Sequence, residues 1–213
     1  QYADKNQWGI FIDNGKQVEP LTPVKRLYYP LINNIEIDFE VQHFIQVNHD
    51  VNVNMVQQAI TWLSLNSDDI VLDLFCGLGN FSLPIARQVQ KVVGIEGVQS
   101  MVDRATVNAK NNAIDNCQFF QADLNSSWLS QTWAKQKFDK VVLDPARAGA
   151  FEAIEQLIPF NINKILYISC DPATLARDSK YLLSHGYKIV KVAIVDMFCQ
   201  TKHVETMVLF SLK

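Results

Sequence analysis

Val71-Leu72-Asp73-Leu74-Phe75-Cys76-Gly77-Leu78-Gly79-Asn80 is the stretch on which the fold of this chain turns. It reads as a buried strand, a tight glycine turn, and the start of a helix expected over 80–88. Gly77 and Gly79 let the backbone bend sharply and come close to a ligand, where any side chain would collide. A second apolar run, Lys91–Glu96, follows and ends in an acid about 20 residues beyond the turn. An acidic side chain at that place can accept hydrogen bonds from both hydroxyls of a ribose.

Outward from this unit, short apolar runs alternate with segments of helical periodicity. Strands are expected at 70–75, Lys91–Glu96, Cys117–Gln121, 138–144, Lys164–Ser169, Tyr187–Val195 and 204–211. Helices are expected at 51–65, 80–88, 100–111, 151–158 and 173–184, with Asn48 or Asp50 capping the first. Such alternation predicts an α/β fold: a doubly wound, mostly parallel sheet with helices on both faces. The link between the last two strands is too short for a helical crossover, so they should pair antiparallel. Residues 1–45 carry short β-like runs among Pro20, Pro23, Pro30 and Asn14-Gly15, with no strong helix. They read as a small β-rich appendage ahead of the domain over 46–213.

Composition narrows the class. At 213 residues, 48% apolar and 19% charged, the chain suits one compact core. No apolar run approaches a membrane span and no signal-peptide pattern opens the sequence, so a soluble, cytoplasmic protein is expected. The first residue is Gln1 rather than Met, which suggests a piece of something longer. The four cysteines, Cys76, Cys117, Cys170 and Cys199, form no C-x-x-C pair. No metal site or disulfide framework is therefore expected, and a free reactive thiol becomes conceivable. The net charge of −3, with an isoelectric point near 5.8, is not that of a stand-alone nucleic-acid binder.

Three further motifs fall at expected strand ends. Asp144-Pro145-Ala146-Arg147 closes the fourth strand, and in an open α/β sheet the carboxyl ends form the ligand crevice. Ser169-Cys170-Asp171-Pro172 closes the fifth, placing Cys170 at that edge beside a helix N-terminus, where the dipole favours a thiolate. Asp171 would oppose it. His203-Val204-Glu205 opens the last strand. The glycine turn alone fits a dinucleotide or S-adenosylmethionine. Ser82 replaces the third small residue of the dinucleotide pattern, and Asp73 suits a cationic sulfonium better than a pyrophosphate. A nicotinamide-dependent oxidoreductase shares the turn but offers no role for Cys170 with Glu205. A cofactor-binding module that docks on RNA without catalysis is the other alternative.

Together, Asp73-Leu74-Phe75-Cys76-Gly77-Leu78-Gly79-Asn80, Leu143-Asp144-Pro145-Ala146-Arg147, Ser169-Cys170-Asp171-Pro172-Ala173-Thr174-Leu175-Ala176-Arg177-Asp178 and His203-Val204-Glu205 resemble the RNA uracil-C5 methyltransferase family. The likeness runs from about Phe44 to the C-terminus and is greater to the large-subunit (23S) ribosomal RNA branch than to the tRNA branch. It implies a class I S-adenosylmethionine-dependent methyltransferase fold and methylation of uracil C5 in RNA, most simply 23S ribosomal RNA. By this resemblance Cys170 is the nucleophile that adds to C6, and Glu205 is the base that removes the C5 proton. Gln46, Phe75, Gly77, Gly79, Asn80, Glu96 and Asp144 would hold S-adenosylmethionine. So would Asp123, where the family has an asparagine.

The target base must be flipped out, and Phe44 either stacks on it or belongs to the core. Arg147, Arg177 and Lys202 could meet phosphates, and His203 is either a further site residue or simply exposed. The branch also implies an RNA-binding barrel and a four-cysteine iron–sulfur cluster. Both are expected only in an N-terminal region outside this chain, since the first cysteine here is Cys76, and the resemblance then makes 1–45 the remnant of a central β-rich domain and 46–213 the S-adenosylmethionine-binding catalytic domain. A monomer is the expected oligomeric state.

Overall fold

The structure is a computed structural model that describes residues 2–6, 8–15, 17–23, 25–201 and 203–212. A short helix, α1 (Tyr2–Asn6), comes first. Strands β1 (Phe11–Asp13) and β2 (Val18–Pro20) form one antiparallel hairpin; β3 (Tyr28–Pro30) and β4 (Glu36–Asp38) form a second. There follow α2 (His49–Leu63), β5 (Ile70–Leu74), α3 (Ser82–Ala86), β6 (Lys91–Glu96), α4 (Gln99–Asn111), β7 (Cys117–Gln121) and β8 (Lys140–Leu143). The chain ends with α5 (Phe151–Leu157), β9 (Lys164–Ser169), α6 (Pro172–Ser184), β10 (Tyr187–Val195) and β11 (Glu205–Leu212).

Strands β5 to β11 make one sheet in the order β10-β11-β9-β8-β5-β6-β7. The pairs β5–β6, β6–β7, β5–β8 and β8–β9 are parallel. Each such link crosses over the sheet, so both faces are covered and strand residues alternate between two cores. Val71, Val92 and Val142 face α2 and α3, whereas Leu72, Val93 and Val141 face α5 and α6. Every fully buried aliphatic side chain of this kind contributes about 1.5–3 kcal/mol. The expected antiparallel ending is present, and β11 enters between β9 and β10 instead of lying at the rim.

Helix α2 shows how local signals set the boundaries. Met55, Val56, Ala59, Ile60 and Leu63 form its buried stripe, and Asn48 rather than Asp50 is the cap, accepting from the Val51 amide at 3.3 Å. The helix expected over 80–88 is only Ser82–Ala86, because Gly79 is left-handed (φ +94) and Pro84 sits within the segment. Among the described residues, no helix is long and apolar enough to cross a membrane.

The second N-terminal hairpin is built into the main body of the fold. Leu31, Ile35 and Ile37 are buried in the same core as α2. Two asparagines one turn apart, Asn108 in α4 and Asn112 at its C-cap, grip the backbone of β4. Asn108 accepts from the Asp38 amide (3.0 Å) and donates to its carbonyl (3.1 Å); Asn112 does the same at Glu36 (2.9 and 2.7 Å).

A comparable grip holds the loop after β8 on α6. Thr174 Oγ1 donates to the Arg147 carbonyl (3.2 Å), and Arg177 Nη2 donates to that of Ala148 (3.0 Å). The fully buried Asp178 accepts from the Ala150 amide (2.8 Å), the Tyr167 hydroxyl (2.7 Å) and Arg177 Nε (2.7 Å). Gly149 makes this docking possible: its φ is +82, and a Cβ there would lie 2.7 Å from both Arg177 Nη2 and Asp178 Oδ2. Gly149→Ala should therefore cost about 2–3 kcal/mol, read as a lower denaturant midpoint. An unchanged midpoint would show that the loop is not held as described.

Candidate active site

All parallel strands present their carboxyl ends at one edge, and the order reverses between β5 and β8, which opens a crevice there. A cavity of about 470 Å³ occupies it. Phe75, Gly77 and Asn80 reach it from the turn after β5, Glu96 from β6, Asp144 and Arg147 from the end of β8. Cys170 directly follows β9, His203 and Glu205 come from the loop before β11 and its first residue, and Phe44 and Gln46 from the segment before α2. The structure thus brings together eleven of the thirteen residues expected from sequence.

Gly79 and Asp123 are the two that do not line the cavity. Gly79 shapes the turn through its left-handed backbone. Asp123 spends its carboxylate on the Ser126 hydroxyl (2.7 Å) and the Asn125 amide (2.9 Å), which also hold its pKa below the usual range. Asp73 is likewise absent from the wall. It is fully buried and accepts from the Ser82 hydroxyl, tying the turn to α3, and desolvation raises its pKa to about 7. Its suitability for a sulfonium therefore carries no weight as direct contact.

Glu96 is preorganised. One carboxylate oxygen accepts from the Gly77 amide (3.1 Å), the other from the Val98 amide (3.0 Å), so the acid bridges the glycine turn and its own strand end. Each oxygen keeps a lone pair for a ligand donor. Phe75 holds φ +64, an uncommon state for a bulky side chain, at the point where the strand gives way to the turn. Gln46 Oε1 is buried without a partner. An orphaned acceptor and a braced carboxylate in one cavity suit a nucleoside carrying an amino group, which is the donor pattern of S-adenosylmethionine.

Opposite this half of the cavity lies a crowd of acids. Thr206 of β11 pairs with Ser169 of β9, so the next residues outward, Glu205 and Cys170, come side by side. Glu205 is 3% exposed, and burial pushes its pKa to about 7. It could have been an ordinary carboxylate on an edge strand, but β11 lies inside the sheet. Asp144 is raised well above its usual value by burial, then by Glu205 and Asp73. The Cys170 thiol is also raised by burial, then by Glu205 and Asp144, with Arg147 opposing. Burial and the neighbouring acids thus outweigh the expected dipole-favoured thiolate. Asp171 is not the cause, since its carboxylate caps α6 by accepting from the Ala173 and Thr174 amides.

Arg147 Nη2 donates to His203 Nε2 at 3.3 Å, so His203 is a wall residue paired with a cation. Phe44 is 67% exposed at the cavity, which rules out the core alternative. Arg177 is engaged with Asp178 and Ala148, and Lys202 lies outside the described residues. Tyr29, Met101 and Phe198 also line the cavity and had not been anticipated. No local motif marks them; only packing brings them in.

A family model described as tRNA (uracil-5-)-methyltransferase matches residues 31–213. A 23S rRNA (uracil(1939)-C(5))-methyltransferase of Colwellia psychrerythraea is 53% identical over 216 residues, covering 99% of this chain and 46% of its own length. A protein of the same description from Haemophilus influenzae is 46% identical, covering 100% and 48%. The chain therefore spans about half the length of these relatives. Among solved structures, Pyrococcus abyssi tRNA (uracil-54, C5)-methyltransferase in complex with S-adenosyl-L-homocysteine superposes with a TM-score of 0.78 at 25% identity, over 95% of this chain and 50% of that one. The fold is the class I methyltransferase fold, as the resemblance implied.

The raised Glu205 pKa sets a pH dependence of stability. The folded state holds this proton more tightly than the unfolded chain, whose carboxyl has its ordinary value near 4.5. The contribution is full below pH 4.5 and is lost as pH rises through about 7. Glu205→Gln should stabilise the protein at pH 8 by up to roughly 3 kcal/mol, with no gain at pH 4. Denaturant melts at the two pH values check this; an equal effect at both would contradict it.

Proposed function

The chain belongs to the RNA uracil-C5 methyltransferase family, and from that premise we propose that it methylates uracil C5 in 23S ribosomal RNA with S-adenosylmethionine as methyl donor. The observation that carries this reading is the pairing of Cys170 with Glu205 on neighbouring strands of one cavity, opposite Glu96 and the glycine turn. The names of the relatives support the ribosomal substrate.

In this reading Gln46, Phe75, Gly77, Asn80, Glu96 and Asp144 hold the cofactor, and Glu96 takes the ribose hydroxyls with the lone pairs its backbone bonds leave free. The exposed ring of Phe44 offers a stacking face for a base turned out of the RNA. Cys170 Sγ, as thiolate, forms a bond to C6 of the uracil, and the C5–C6 electron pair moves toward the C4 carbonyl, giving an enolate with a nucleophilic C5. Arg147 is the cation whose charge eases ionisation of that thiol. Bound S-adenosylmethionine would supply a sulfonium-activated methyl group for C5, its sulfur keeping the electrons of the broken C–S bond as the thioether of S-adenosylhomocysteine. Glu205 then takes the C5 proton. The electrons left behind re-form the C5–C6 double bond, and the sulfur leaves C6 as thiolate. A carboxyl with pKa about 7 suits this step, since it both accepts and gives up a proton near neutrality.

The test uses RNA carrying 5-fluorouridine, whose C5 fluorine cannot leave as a proton. With S-adenosylmethionine, the wild-type chain should form a covalent adduct that survives denaturing gels, and Cys170→Ala should form none. With ordinary uridine RNA, Glu205→Gln should accumulate the adduct while methyl turnover falls by about 10²–10⁴-fold. Binding of a nicotinamide dinucleotide in place of S-adenosylmethionine would overturn the reading.

A further inference from the structure

Asn80, on the wall beside the glycine turn, is held by partners from two distant segments. Its Oδ1 accepts from the Tyr29 hydroxyl at 3.1 Å and from Asn52 Nδ2 at 2.9 Å, while its Nδ2 donates to Asn52 Oδ1 at 2.9 Å. A carboxamide oxygen has two lone pairs, and both are taken. One N–H of Nδ2 is all that the Asn80 carboxamide retains for the cavity.

The two partners are themselves fixed. Asn52 is 1% exposed within α2, and the amide pair it makes with Asn80 is reciprocal. Tyr29 belongs to β3 and lines the cavity. Burial raises its pKa, so the phenol stays a donor at any working pH. Its ring packs against Phe39 at 6.2 Å, and its strand pairs with β4, which Asn108 of α4 and the C-cap residue Asn112 bind by the backbone. The hairpin is thereby anchored on one side and delivers a hydroxyl to a cavity residue on the other.

We propose that Tyr29 and Asn52 are positioning residues that lock the Asn80 carboxamide, so that it meets the bound cofactor as a hydrogen-bond donor only. The β3–β4 hairpin then becomes a working wall of the cofactor cavity and not a spacer. The ligand group facing Asn80 must be an acceptor, a carboxylate or an ether or hydroxyl oxygen. This inference rests on the reading that the cavity takes S-adenosylmethionine.

Calorimetric titration with S-adenosylhomocysteine tests it on the wild-type chain, Tyr29→Phe, Asn52→Ala, Asn80→Ala and the double variants Tyr29→Phe/Asn80→Ala and Asn52→Ala/Asn80→Ala. Loss of one neutral hydrogen bond should weaken binding about fivefold in Tyr29→Phe. The double variants should bind no more weakly than Asn80→Ala alone, because positioning has nothing left to act on. Tyr29→Phe keeps the ring and its packing, so a native thermal midpoint with weakened binding separates positioning from collapse. Equal losses with and without Asn80 would mean that Tyr29 acts on the ligand or the fold by itself, and that would overturn the inference. No change in Tyr29→Phe would overturn it too. Failure of the wild-type chain to bind S-adenosylhomocysteine would instead remove the cofactor reading beneath it.

Discussion

Parallel strands can be joined only by crossing over the sheet, so their carboxyl ends gather at one edge, and the rest of this structure depends on that constraint. Chain order starts at β5 in the middle of the sheet, runs out through β6 to β7, and returns to β8 on the other side. The helices on either side of the reversal diverge, and the gap they leave at the carboxyl edge is the cavity. Motifs separated by dozens of residues meet there because each ends a strand. Phe75, Glu96, Asp144 and Cys170 are neighbours for this one reason.

Strand β11 departs from the parallel rule. It slots antiparallel between β9 and β10, and this insertion buries Glu205 next to Cys170. Two carboxyls, Asp144 and Glu205, then share a poorly solvated space with a thiol, and each ionisation makes the next more costly. Arg147, partnered by His203, is the cation that counters the crowding at Cys170. The Cys170 thiol is thereby held toward its protonated form, and Glu205 keeps a pKa near neutrality, which fits the proposed role of a base.

Rigidity around the site comes from side chains that hold backbone. Asp178, Arg177 and Thr174 bind three groups of the loop after β8, and they do so from the helix that begins just beyond Cys170. Asn108 and Asn112 hold β4 in the same manner on the far side. Loops are the mobile parts of most folds, so fixing them with buried polar contacts keeps the proposed catalytic groups in register at the cost of burying an acid such as Asp178.

Much of this was legible in the sequence. Short apolar runs set off from the helical segments between them set the strands Lys91–Glu96, Cys117–Gln121, Lys164–Ser169 and Tyr187–Val195 to the residue, because both signals are local. Strand-end motifs named Phe75, Gly77, Glu96, Asp144 and Cys170 for the topological reason above, whereas Gln46 and Phe44, in the segment before α2, came only with the family resemblance. Tertiary structure decided the rest. Residues 1–45 looked like an appendage, yet Leu31, Ile35 and Ile37 share the main core and Tyr29 reaches Asn80 across fifty-one positions of sequence. Whether Glu205 was buried or exposed depended on where β11 inserts, and whether Asp123 or Asp73 met the cavity depended on which hydrogen bonds they found first. A sequence determines which residues fall at strand ends and turns, since those signals are local. Only the folded chain determines what each polar group faces, because partners and desolvation are set by segments far away in sequence.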